Sequence, residues 1–209
     1  SKQELLGQFS ASKHPDFVRV PPRYCLNGKE IYLRKEVYLA YTNLYQEASK
    51  DSISIKLISG FRSFDHQKFI WEKKWKKLKK NALSPKEKCL QIMRYSAMPG
   101  SSRHHWGMDI DICALDNQSF EKGIGLKTYT WLIRNASNFG FCQVYDKDRQ
   151  CGYNQEKWHW SYLPLASIIK QQYLTNIQYG DISGFRGSEQ AKSIGMIKNY
   201  VDCINVNCK

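Results

Sequence analysis

The sequence predicts an α+β fold in one domain, and three observations predict it. Its 209 residues fit a single domain of ordinary size with a real apolar core. Hydrophobic residues make up 42%, charged 24% and aromatic 13%, which excludes a disordered or fibrous chain. Short strand-like runs at 53–58, 108–113 and 158–162 stand among longer segments of helical composition, without an internal repeat or a low-complexity stretch.

Taken in order, the first thirty residues, with His14-Pro15-Asp16 and Pro21-Pro22, read as an irregular lead-in. Lys35 to Lys50 predicts a helix, with Leu39, Leu44 and Ala48 on its buried side. Ile53 to Ile58 is β-branched and half-alternating and stops at Ser59-Gly60, so it predicts a core strand running into a turn. Phe64, Trp71, Trp75 and Leu78 then recur at helical spacing, between faces carrying Lys73, Lys74, Lys76, Lys77, Lys79 and Lys80. This basic amphipathic helix over 64–80 is either a dock for an anionic polymer or a solvated face over an ordinary core stripe, and the second reading is favoured. A break at 81–85 precedes a helix from Pro85 to about Tyr95. Residues 97–107, rich in Gly, Pro, Ser and His, predict a loop feeding the alternating strand Met108 to Cys113. A helix over 128–138, a turn or strand at Phe139-Gly140-Phe141 and an aromatic strand at Trp158 to Tyr162 complete the pattern.

Lys plus Arg outnumber Asp plus Glu by 32 to 19, a net charge of +13 that draws the surface toward polyanions. No run of eighteen apolar residues predicts a membrane span, and the start at Ser1-Lys2-Gln3 without an initiator Met suits either a trimmed precursor or a segment cut for expression. The seven cysteines form no Cys-x-x-Cys pair of the structural-zinc or thiol-redox kind. Disulfides are the simplest functional reading, Cys142 with Cys151 and Cys203 with Cys208, against the alternative of buried reduced thiols.

The chemistry gathers in two segments. Three of five histidines lie in Ser102-Arg103-His104-His105-Trp106-Gly107-Met108-Asp109-Ile110-Asp111 and Glu156-Lys157-Trp158-His159. A catalytic zinc takes three His or carboxylate ligands and leaves one position open, and it lowers the pKa of bound water to about 7. Strand alternation puts Asp109 and Asp111 on one face, so spacing leaves either free to meet a metal, and it likewise leaves open the choice between His104 and His105. Glu156, three residues before His159, is within reach of a water at that site and has the chemistry of a general base.

In these motifs the chain resembles the LAS zinc peptidases, named for lysostaphin, D-Ala-D-Ala peptidases and sonic hedgehog, in their D-alanyl-D-alanine carboxypeptidase branch. Ser-x-His-x-x-Gly-x-x-x-Asp appears as Ser102, His104, Gly107 and Asp111; Glu-x-Trp-His as Glu156, Trp158 and His159; and Ser-Gly-Tyr-Arg-Ser as Ser59-Gly60-Phe61-Arg62-Ser63, with Phe61 for the usual Tyr. The resemblance spans about 53–162. It implies zinc on His104, Asp111 and His159, Glu156 as catalytic base, Arg62 on the oxyanion or substrate carbonyl, and Ser102 and Gln67 on the terminal D-Ala carboxylate. Asp109 occupies a position often small in the family. The implied fold is a central, mostly antiparallel sheet flanked by helices, with a lead-in at 1–34, a peptidase core at 35–165 and a C-terminal extension at 166–209 packed on it.

The implied function is zinc-dependent removal of D-Ala from peptidoglycan stem peptides, across a D,D or an L,D bond, by a periplasmic or cell-surface monomer near anionic wall polymers and without a nucleic-acid partner. Two alternatives stand beside it: a peptidoglycan endopeptidase of the same fold, and a non-catalytic basic binding module with structural zinc. Ser10-Ala11-Ser12-Lys13 and Ser167-Ile168-Ile169-Lys170 match the Ser-x-x-Lys of serine penicillin-binding enzymes, but Lys127-Thr128-Tyr129 fails the accompanying Lys-Thr-Gly.

Overall fold

In the computed structural model, which describes residues 1–78 and 82–208, the α+β prediction takes the form of a four-stranded antiparallel sheet. Its strands are β3 (Leu57–Ser59), β4 (Asp109–Ile112), β5 (Phe141–Cys142) and β6 (His159–Tyr162), in the order β3-β4-β6-β5. A smaller sheet pairs β1 (Phe17–Arg19) with β2 (Tyr32–Arg34). The lead-in is therefore not irregular as expected. It opens with helix α1 (Lys2–Leu5), whose Ser1 and Glu4 form a capping box, and its strands are too short to register as alternation.

Register places the site. In β4 and β6, Asp111 faces His159 and Asp109 faces Ser161 across the strand pair. Directly opposed residues carry their side chains on one face with Cβ atoms about 5 Å apart. The alternate residues, Ile110, Ile112 and Trp160, join the apolar core with Tyr41 and Leu44. Between β3 and β4 the register shifts, so Leu57 meets Ile112 while Ser59 meets Asp111, which turns the end of β3 toward the polar face.

Helix α2 (Lys35–Lys50) matches its predicted bounds, but its buried stripe is Val37, Tyr41, Leu44 and Ala48. Leu39 is 61% exposed, because two residues past Val37 is more than half a turn around the helix. In α3 (Phe64–Lys77), Phe64, Gln67 and Trp71 are buried and Trp75 packs partly against the core, so the apolar stripe is core. The expected continuation through Lys79 and Lys80, and Asn81 at the break, lie outside the described residues. Helix α4 (Pro85–Ile92) begins at a Ser84/Glu87 capping box and stops short of Tyr95. Helix α5 (Gly123–Asn135) starts five residues earlier than Thr128 and passes into a 3-10 turn at 136–139. The boundary expected at 165 falls inside α6 (Leu163–Asn176), and a short helix, α7 (Ala191–Ile194), leads into a tail with a π-helical turn at Ile197–Val201 and a 3-10 turn at Val206–Cys208. Among the described residues no helix is long and apolar enough to cross a membrane.

The cysteine pairing differs from expectation: the bridges are Cys142–Cys208 and Cys151–Cys203. The tail returns beside the segment after β5, where the Asn205 amide donates to the Val144 carbonyl at 2.9 Å, so each cysteine meets a partner on the other segment. Cys25 and Cys89 remain as buried thiols and Cys113 as a partly exposed one.

Candidate metal centre

His104 sits in a 3-10 turn (Arg103–Trp106) closed by Gly107, whose φ of 72° suits glycine and whose missing Cβ leaves room for the Phe17 ring. The Arg62 amide donates to the His104 carbonyl at 3.1 Å, tying this turn to the segment after β3. The His104 Nδ1–H donates to the Gly60 carbonyl at 2.7 Å, leaving Nε2 facing Asp111 Oδ2 at 3.2 Å. Gly60 is required there, since a Cβ would lie 2.7 Å from the Tyr32 carbonyl.

His159 uses its nitrogens the other way round. Nε2–H donates to Asp109 Oδ2 at 2.7 Å and Nδ1 faces Asp111 Oδ1 at 3.0 Å. His104 Nε2, His159 Nδ1 and an Asp111 oxygen thus converge, all three donors within 4.8 Å of one another, and all three residues are buried. Zinc bonds of 2.0–2.2 Å in a tetrahedron set neighbouring donors about 3.4 Å apart, so the set fits zinc once its widest spacing closes by up to about 1.4 Å. Each imidazole has its outer nitrogen engaged by an oxygen, the arrangement that fixes a ligand's tautomer.

Of the two strand aspartates, Asp109 lies behind the donors rather than among them. Its carboxylate accepts from Arg103 Nε at 3.0 Å and from Ser161 Oγ at 2.6 Å, while Arg103 Nη2 donates to Ser161 Oγ at 2.6 Å. Burial opposes the charge on both aspartates, but Arg103 and His159 hold Asp109, and the two histidines hold Asp111, far below the usual carboxylate range. Burial also works against the His159 imidazolium, yet the hydrogen bonds to both aspartates outweigh it and raise the group to about 10 in the metal-free protein. His105 points away: its Nδ1–H donates to the Arg62 carbonyl at 2.6 Å and its Nε2 accepts from the Gly100 amide at 3.0 Å.

These donors lie in a cleft of about 290 Å³ also lined by Arg62, Ser102, Tyr145, Tyr153 and Glu156. Glu156 Oε2 stands 3.7 Å from His159 Nδ1, and burial pushes its pKa up to about 8 against the pull of His159. The Glu156 amide donates to the Tyr145 carbonyl at 2.9 Å, which closes the loop between them, and the Tyr145 ring stacks on His159 with centroids 4.6 Å apart. Arg62 spans the cleft: Nη1 donates to Gln67 Oε1 at 2.9 Å and Nη2 to Ser59 Oγ at 3.0 Å, with Asp111 Oδ2 at 3.4 Å. Ser102 borders the cleft as its motif position implied. Gln67 does not: it is fully buried, and its amide nitrogen is taken by the Ala97 carbonyl at 2.7 Å. Arg103, Ser161 and Tyr145 carried no signal in the sequence, because their partners are fixed by register and loop closure.

Two imidazole nitrogens and a carboxylate with a buried glutamate beside them, in a cleft open to solvent, are the equipment of a metallohydrolase. Residues 30–165 match the family model described as VanY, D-alanyl-D-alanine carboxypeptidase, and the chain belongs to that family. The D-alanyl-D-alanine carboxypeptidase of Enterococcus faecalis is 29% identical over 146 residues, 69% of this chain and 52% of that one. This chain spans about half the length of such curated relatives. Among solved structures, the LD-carboxypeptidase LdcB shares the fold with a TM-score of 0.59 at 23% identity, over 82% of this chain and 81% of that one. A vancomycin-resistance D,D-pentapeptidase VanY in complex with Zn(II) does so with a TM-score of 0.55 at 23% identity, over 82% and 92%.

Proposed function

We propose that this protein is a zinc-dependent peptidoglycan carboxypeptidase that releases the terminal D-Ala of stem peptides across a D,D or an L,D bond. The observation that carries this reading is the convergence of His104 Nε2, Asp111 and His159 Nδ1 with Glu156 Oε2 3.7 Å from one of those donors. Family membership, and the Zn(II) bound by a VanY relative, support it.

His104, Asp111 and His159 would hold the ion, which supplies a lowered pKa for water and polarisation of the scissile carbonyl. Glu156 takes the proton of the attacking water and returns it to the leaving amine. In the metal-free protein burial raises the basicity of this carboxylate, which suits it to the first transfer. Arg62 directs its guanidinium at the carbonyl oxygen as negative charge develops there, and a charge-assisted donor is worth most where water is excluded. Gln67, whose amide is committed to Arg62 and Ala97, acts by positioning that guanidinium rather than by touching the carboxylate. Ser102, which lines the cleft, is the residue for that contact. No nucleophilic side chain takes part, so no acyl-enzyme forms.

The two disulfides favour an oxidising compartment, the periplasm or cell surface, and the +13 charge suits anionic wall polymers rather than calling for a nucleic-acid partner. A monomer suffices, since every residue invoked comes from one chain.

Release of free D-alanine from synthetic stem pentapeptide and tetrapeptide by the zinc-loaded protein tests the reading and separates D,D from L,D specificity. Chelation and Glu156→Gln should each stop release, the variant with zinc still bound and a loss of at least about 10³-fold. Cleavage inside the stem without D-Ala release would make the protein an endopeptidase instead, and no cleavage with zinc bound would make it a binding module.

A further inference from the structure

Among the described residues three Lys and Arg side chains line the cleft, and two of them are spoken for. Arg103 is paired with Asp109, and Arg62 with Gln67, Ser59 and Asp111. Lys74, the third, also lines the cleft, yet its Nζ has only the neutral hydroxyl of Ser96, at 2.9 Å, and no carboxylate within ion-pair distance among the described residues. Its neighbours Lys73, Lys76 and Lys77 on α3 are exposed, so Lys74 is not simply part of the solvated basic face. It is half-buried, and burial lowers the pKa of its ammonium against a weaker, longer-range pull from the Glu156 carboxylate, so its charge is held partly out of water with no carboxylate in direct contact. Seven residues beyond Gln67 on α3, it stands about 10 Å further along that helix.

We propose that Lys74 is the counter-ion for a carboxylate of the bound peptide and so selects substrates by that charge. This deepens the carboxypeptidase reading and rests on it. Two carboxylates are in play, the free C-terminus of the peptide and an acidic side chain upstream of the scissile bond, and both would turn the neutral Ser96 contact into an ion pair inside a partly dry cleft.

The test measures binding by calorimetry to zinc-loaded Glu156→Gln protein, with and without Lys74→Gln. Three stem peptides are compared: one with a free C-terminus and an acidic third residue, one with that C-terminus amidated, and one with the third side chain amidated. Lys74→Gln should weaken the first peptide on the order of ten- to a hundredfold, the worth of a hydrogen bond to a charged group, while Lys74→Arg retains most of the affinity. The peptide that Lys74→Gln leaves unaffected identifies the carboxylate. Equal affinities with and without Lys74, the same weakening of all three peptides, or no binding of the first would overturn the proposal. D-Ala release by the protein with Glu156 and Lys74 intact is scored separately: its absence, with binding discrimination preserved, sinks the carboxypeptidase reading and leaves the role of Lys74 standing.

Discussion

Removing the Asp109 carboxylate tests whether the metal donors are held from behind. Asp109 accepts three hydrogen bonds, from His159 Nε2 at 2.7 Å, Arg103 Nε at 3.0 Å and Ser161 Oγ at 2.6 Å. Asp109→Ala therefore does two things. It frees the tautomer and orientation of His159, which costs about 10- to 100-fold in metal affinity, or about 1.4–2.7 kcal/mol. It also leaves Arg103 buried without a counter-ion, a loss of about 3–5 kcal/mol and a large part of the stability of an ordinary domain.

A second substitution, Arg103→Met, separates the two effects. Arg103→Met with Asp109→Ala removes the orphaned charge and should restore the melting temperature of the metal-free protein while zinc affinity stays low. Asp109→Asn should stay nearer the wild type in zinc affinity, because its amide oxygen can still accept from His159 and Arg103 while its nitrogen turns to Ser161. Zinc affinity comes from competition with a chromophoric chelator at pH 7.5, and stability from thermal melts in excess chelator. If the Ala/Met double variant bound zinc within twofold of the wild type, the role assigned to Asp109 would be wrong.

Acid sensitivity should trace in part to His105, whose burial lowers its pKa from an unfolded value near 6.5 to about 3. Protons then prefer the unfolded chain, so the contribution is complete above pH 6.5 and is lost as pH falls toward 3, at up to about 1.4 kcal/mol per unit. Urea unfolding of metal-free protein at pH 6.5 and 4.5 should show a smaller loss for His105→Gln than for the wild type, and parallel losses would refute the assignment. For the disulfides, Cys151→Ser with Cys203→Ser removes the inner of two nested bridges. With the outer bridge intact the inner one closes a ring of only about fifteen residues, so its loss should cost about 3 kcal/mol, read as a lowered melting temperature. An unchanged melt would mean that the tail is held by its other contacts alone.

Much of the site was legible because it is local in sequence. Ser102 to Asp111 and Glu156 to His159 each place their key side chains within ten residues, and the alternation of 108–113 put both aspartates on one face. Which aspartate lies among the donors and which behind was decided by cross-strand register, Asp111 opposite His159 and Asp109 opposite Ser161, and register is a long-range property. Gln67 shows the same limit: its motif distance from Arg62 suggested the cleft, whereas the Ala97 carbonyl, thirty residues away, draws its amide inward. The helices were found by periodicity, but Leu39 was misplaced because an apolar residue is not thereby a buried one. The cysteine pairs were read as near neighbours, and no pattern within 142–151 or 203–208 announced that these two segments run side by side.

That side-by-side arrangement bears on how the protein has to be prepared and judged. The locally paired isomer, Cys142–Cys151 with Cys203–Cys208, has the same mass, the same number of bridges and the same three free thiols as the native form. Intact-mass and thiol-counting assays are blind to the difference, and only a peptide map linking the two segments distinguishes them. In the shuffled isomer nothing covalent would fasten the tail beside the loop that carries Tyr145, Tyr153 and Glu156. A preparation could then pass every routine check of oxidation while its cleft wall stood loose, so an inactive batch says nothing about the chemistry until its connectivity is known.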